Sequence, residues 1–170
     1  MTAAHLHLLV NHVPILGAAF ALALLAASLL WAPDVLRRTA LVTLVVVGAA
    51  AFVADRTGEP AEDAVRGLPG ITRATIHEHE EMAEKSWLAA GVLGLVSIVV
   101  LVRWRRTPIP APVGVGMLAG TAVVAGMMAY TGLLGGRIRH TEFRPGATAA
   151  DAALIEPRRA RPPRPSGPEE

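Results

Sequence analysis

An all-α membrane protein, a bundle of four membrane-crossing helices with a helical loop between the second and third, is the architecture this sequence predicts. The 170 residues are 52% hydrophobic and only 18% charged, where soluble domains carry roughly 25% charged residues. The charges are clustered, leaving four long stretches almost without any. A hydrocarbon core of ~30 Å needs about 20 helical residues. In lipid only a helix pairs every backbone polar group inside its own segment.

The first stretch runs from Leu6 to Trp31, interrupted by Asn11 and the histidines. No Lys or Arg precedes it, and its apolar run exceeds the roughly 7–15 residues of a signal-peptide core, so it is expected to be a retained span. Pro14 lacks the N–H that would bond near Val10, which predicts a kink in the histidine-bearing turn. The second stretch covers about Thr39 to Ala54 and the third Trp87 to Val102. Both are short, and flanking turns are expected to lengthen them. The fourth covers Val113 to Leu134, with small residues four apart at Gly116 and Gly120, Ala122 and Gly126, and Gly132 and Gly136. Such ridges let neighbouring helices approach closely.

Short basic loops set the orientation. Arg37 and Arg38 lie between spans one and two; Arg103, Arg105 and Arg106 lie between spans three and four, with Trp104 as an interfacial anchor. Such loops face the cytoplasm. The expected setting is a bacterial inner membrane, with both termini and the 55–86 loop in the periplasm. Residues 1–144 form the bundle, and 145–170 a tail rich in Pro, Ala and Arg with the composition of a disordered segment.

In the long loop, Asp55-Arg56-Thr57-Gly58 is expected to end the second helix, with Gly58 as a left-handed cap. A separate short helix is expected over Glu59 to Arg66, and a break at Gly67-Leu68-Pro69-Gly70. From Thr72 to Arg106 nothing stops a helix, so the third span is expected to begin about 22 Å outside its apolar part.

All six histidines fall on one side by span counting. His5, His7 and His12 lead into the first span, His77 and His79 into the third, and His140 follows the fourth. At 100° per residue His5 and His12 share a face, while His7 and Asn11 point elsewhere. His77, Glu80, Glu81 and Glu84 share another face, with His79 beside Thr75, Met82 and Ser86 on the opposite one. Paired imidazoles on facing helices of a four-helix bundle suit haem b. One ligand would come from His5, His7 or His12 and the other from His77, His79 or His140. The alternative is zinc or copper held by two or three of these histidines and a carboxylate such as Glu81. The bland reading is a solvated helix surface on which His77 and Glu81 pair at i,i+4. No Glu-x-x-His spacing supports a di-iron centre. The absence of cysteine excludes thiolate ligation and c-type haem attachment within this chain.

No nucleophile–base pair, phosphate loop or acid–base dyad points to catalysis. The spans lack ionisable groups, which argues against a pump; Ser28, Thr43, Ser97, Thr121 and Thr131 read as back-bonding groups, and Met127 and Met128 as core filling. The net charge of +2 argues against nucleic acid. Lipid and the other subunits of a larger membrane complex are the expected partners, the latter through the 145–170 tail. The function expected is electron transfer or accessory service in a respiratory or photosynthetic complex. The alternative is a cofactor-free structural subunit.

Asn11-His12-Val13-Pro14-Ile15 and Gly132-Leu133-Leu134-Gly135-Gly136-Arg137-Ile138-Arg139-His140 resemble a bacterial family of small four-span membrane proteins of unassigned function. In that family a His-aromatic-Pro-Ile turn opens the first helix, a histidine leads into the third, and Gly-Gly followed by His closes the fourth. The resemblance covers roughly residues 5–144. It departs at Val13, where an aromatic is usual, and the tail has no counterpart. Relatives of this kind are sometimes joined to Rieske-type iron–sulfur domains, which implies a redox setting. It also implies His12, one of His77 and His79, and His140 as the preferred ligands.

Overall fold

The computed structural model describes residues 3–31, 34–67, 71–140 and 144–147. Every regular element among them is a helix: α1 (Ala3–Val10), α2 (His12–Trp31), α3 (Asp34–Val65), α4 (Arg73–Arg103) and α5 (Ala111–Arg139). The first two form one span broken at Asn11, three residues before Pro14, where the missing N–H predicts a kink. Four spans are therefore long and apolar enough to cross a membrane, and the chain is a multi-pass membrane protein. The tail beyond residue 147 lies outside the described residues, as do Leu68, Pro69 and Gly70.

Each span packs on its neighbours in sequence, and α5 closes back onto α2. The result is an up-down-up-down bundle of antiparallel neighbours. One end carries His7, Gly58 and His79, and we call it the histidine end. The opposite end, where Arg37 and Arg38 lie against the loop from α4 to α5, is the arginine end. Between them the core is stacked in two layers. The layer nearer the arginine end joins Leu25, Leu41, Leu44, Val100, Ile109 and Met117. The next joins Ala18, Val47, Ala51, Ala90, Val124 and Met128. Leu16, Phe20, Leu30, Val42, Leu95 and Val99 are exposed around the outside, as lipid-facing positions should be.

The tightest packing lies between α3 and α4. A Cβ on Gly48 would stand 3.0 Å from the Ala90 carbonyl oxygen, and one on Gly94 would stand 3.2 Å from that of Leu44. The ridge on the fourth span is used less than its spacing suggests. Gly120 and Gly132 meet Leu93 and Ile15, but Gly116, Gly126 and Gly136 have open space at the Cβ position. Sequence spacing identifies small residues on a face; which face meets a partner is set by the bundle.

Two boundaries differ from expectation. Helix α3 does not end at Gly58 but continues through Pro60 to Val65, sacrificing the one bond that a proline N–H would have made to Arg56. The left-handed glycine is Gly67, with φ of +86°. Helix α4 starts as expected, with the Thr72 hydroxyl accepting from the Thr75 N–H at 3.2 Å. It stops at Arg103 rather than Arg106, because Arg38 draws the carbonyls of Trp104 (2.7 Å) and Thr107 (2.8 Å) out of the helical course.

The arginine end is a clamp. Arg37 is buried and donates to the Ile109 carbonyl at 2.9 Å and the Ser28 carbonyl at 3.4 Å. Asp34 accepts from the Ile109 N–H at 2.8 Å and pairs with Arg38. One carboxylate and two guanidiniums thereby tie the start of α3 to the α2 end and the α4–α5 loop. The hydroxyls within the spans bond back one turn: Ser28 to Leu25, Thr43 to Thr39, Ser97 to Leu93, Thr121 to Met117 and Thr131 to Met127.

Candidate metal centre

Burial along α1 follows the sorting by helical angle. His5 and His12 are exposed, while His7 and Asn11 are half-buried and turned toward the bundle. The His7 ring lies against α3, where its Nδ1–H donates to the Ala54 carbonyl at 3.0 Å, with the Thr57 hydroxyl at 3.3 Å. Because a carbonyl oxygen only accepts, Nδ1 carries a proton, and in the neutral ring Nε2 is then the nitrogen with the lone pair. The ring lies against Gly58 of α3, where a Cβ would stand in ordinary van der Waals contact, 3.6 Å from His7 Cε1.

The same arrangement recurs on the diagonal helix. His79 is half-buried on α4, whereas His77, Glu78, Glu80, Glu81 and Glu84 are exposed. Its Nδ1–H donates to the Thr131 carbonyl of α5 at 3.1 Å, again leaving Nε2 as an acceptor. The ring packs on Gly135, where a Cβ would stand 3.0 Å from His79 Cε1. Ser86, two turns along the same face, joins the Thr131 hydroxyl at 2.8 Å and fixes α4 against α5. Among the described residues neither Nε2 has a hydrogen-bond partner.

The other sequence candidates are placed elsewhere. His12 donates from Nδ1 to the Leu8 carbonyl one turn back, at 2.8 Å, on the exposed side of the helix. His5 and His140 are exposed, and the N–H of His140 caps α5 on the Gly136 carbonyl at 2.9 Å. His77 borders a groove at the tip of α3 and α4 with Glu62, Arg66, Arg73, Ile76 and Glu80. There Arg66 donates to the Glu62 carboxylate at 2.8 Å. Glu81 pairs with Lys85 at 2.7 Å rather than bonding His77. Among the described residues no group of three or more His, Asp or Glu side chains is placed to hold a metal ion. What the structure brings inward is therefore one imidazole from the first span and one from the third.

Sequence reasoning named both rings but missed their supports. Gly58 had the signature of a helix cap, and Gly135 entered only as part of the Gly-Gly in the family resemblance. The carbonyls of Ala54 and Thr131 carry no sequence signal at all. Two further atoms at this end, Asn11 Oδ1 and Arg137 Nε, are buried and have no hydrogen-bond partner among the described residues. No family model, curated protein or solved structure matches this chain.

Proposed function

We propose that this chain is an integral membrane protein that holds a metal centre between His7 and His79, and that it serves as an electron-transfer or accessory subunit of a larger respiratory or photosynthetic complex. The observation that carries this reading is the shared state of the two rings. Each donates Nδ1–H to a backbone carbonyl of a neighbouring helix and presents an unprotonated Nε2. Metal-bound histidines are oriented in this way, because the second bond fixes the tautomer and raises ligand basicity. The two candidates carried from the sequence remain haem b, whose iron takes two imidazoles as axial ligands, and a copper or zinc ion.

The orientation that suits this role puts the histidine end in the periplasm of a bacterial inner membrane, with the arginine end in the cytoplasm. Lipid surrounds the bundle, and partner subunits donate and accept the electrons, docking in part through the 145–170 tail. The family resemblance, with its link to Rieske-type domains, favours the same redox setting.

Purification of the full chain in detergent tests the proposal directly. An absorption spectrum and metal analysis should show haem or stoichiometric metal, lost in His7→Ala and in His79→Ala and retained in His12→Ala. A colourless, metal-free protein that co-purifies with a larger membrane complex would instead support a structural subunit without a cofactor.

A further inference from the structure

The connection from α4 to α5 is short, basic and fastened to the bundle. Ile109, set between Pro108 and Pro110, is buried in the core layer at the arginine end. Its N–H donates to Asp34, and its carbonyl accepts from Arg37. Arg38 holds the carbonyls of Trp104 and Thr107. The Thr107 N–H closes a turn on the Trp104 carbonyl at 3.3 Å, with Arg105 and Arg106 as its central residues. A topology signal needs only the positive charges. It does not need a backbone held at four points.

Three guanidiniums stand outside this fastening. Arg103, Arg105 and Arg106 are exposed, and among the described residues no carboxylate pairs with any of them. Across the two connecting segments, 31–38 and 103–110, five arginines face one acid, Asp34, a formal net charge of +4. That acid is already committed to Arg38 and the Ile109 N–H. The Arg103 guanidinium lies over the Trp104 ring at 5.3 Å, and Trp104 in turn packs against the core. Stacking occupies the flat face of a guanidinium and leaves its N–H edge for an acceptor. The side of α4 that leads to this turn is apolar and open. Val92, Leu95, Val99 and Val102 recur three or four apart, and each is 60–66% exposed.

We propose that Arg103, Arg105 and Arg106 bind the phosphate of an anionic phospholipid whose acyl chains lie along the exposed side of α4. The occupant is a lipid rather than a soluble anion because the cationic turn runs directly into that apolar strip. It is anionic because no uncommitted carboxylate stands here to receive the amine of a zwitterionic headgroup. Guanidiniums grip phosphate oxygens through paired N–H bonds, which an ammonium cannot do. The site is independent of the histidine pair at the other end, and of which leaflet meets the arginine end.

The test uses the full chain, freed of lipid in detergent, with binding read by mass spectrometry of intact protein–lipid complexes. Phosphatidylglycerol, phosphatidylcholine and inorganic phosphate are titrated separately. Phosphatidylglycerol should bind about tenfold or more tighter than phosphatidylcholine, since each arginine near an anionic headgroup is worth about fivefold in affinity. The combined variant R103Q/R105Q/R106Q should erase that preference while keeping its helical circular dichroism. If it does not fold, R103K/R105K/R106K decides, because it keeps the charge and the topology signal. That variant should bind phosphatidylglycerol roughly three- to tenfold more weakly. Equal binding of the two lipids by the parent, or a preference that survives the glutamine variant, would overturn the site. Parent affinity in the lysine variant would overturn the guanidinium–phosphate contact. Inorganic phosphate that displaces phosphatidylglycerol at equal concentration would overturn the lipid as occupant.

Discussion

The two ends of the bundle use buried polar side chains in opposite ways. At the arginine end the inner charged groups are spent on the protein itself: Asp34, Arg37 and Arg38 reach across to backbone groups of Ser28, Trp104, Thr107 and Ile109. Of the buried atoms there, only Arg37 Nε is left without a partner. At the histidine end the side chains bond backbone on one side and leave other atoms uncommitted, an acceptor on Asn11 and a donor, Nε, on Arg137. His7 and His79 use one ring nitrogen each for anchoring, and Asn11 Oδ1 is not used at all. A polar group inside an apolar bundle is thus informative less by its presence than by which of its atoms remain uncommitted. One end reads as a fastening and the other as a receptor.

Substitutions can break or sharpen this contrast. The largest effect is expected at the fastening. Arg37→Ala strips charged donors from two carbonyls and leaves a void, at a cost of about 3 kcal/mol. Denaturant titration in detergent should show the loss, while metal bound per folded chain stays unchanged. Loss of metal from folded protein would show that the ends are not separable. Next comes the waist that holds them apart. Gly48→Ala drives a Cβ against the Ala90 carbonyl oxygen, only 3.0 Å away. Helices α3 and α4 must separate, costing roughly 1–3 kcal/mol, measurable as a lower melting midpoint.

The two ring-backing glycines should then part company. At Gly135 a Cβ would sit 3.0 Å from His79 Cε1 and 3.3 Å from Nδ1, so the ring must move. Gly135→Ala should weaken metal binding about tenfold with a stability change under ~1 kcal/mol. At Gly58 the corresponding distance of 3.6 Å is ordinary contact. Gly58→Ala should keep metal binding and, inside a helix, stabilise by up to about 1 kcal/mol. Equal effects on binding would mean that ring placement does not govern the site. The smallest change is expected for His12→Ala, within ~0.5 kcal/mol and with full metal content, because its ring bonds only its own helix on the exposed side. A large loss of metal in that variant would move the proposed site to His12.

Much of this was legible in the residues. Helical angle alone separated His7 from His5 and His12, and His79 from His77, because the period of a helix is local. The same period placed Ser86 on the side of α4 that meets α5. It could not say that Gly58 lies against an imidazole 51 positions earlier in the chain, since that follows from the packing of α1 on α3. Nor could it turn Arg37 and Arg38 from topology signals into a clamp, because their acceptors lie about 70 residues away.

By itself, then, the sequence determined the four spans and the sorting of the histidines onto different helix faces, both consequences of apolar length and helical periodicity. Only the tertiary structure decided which ring nitrogens are anchored, which glycines are needed and which polar atoms stay unpaired. Those depend on contacts between helices distant along the chain, and no local pattern encodes the distance between two backbones.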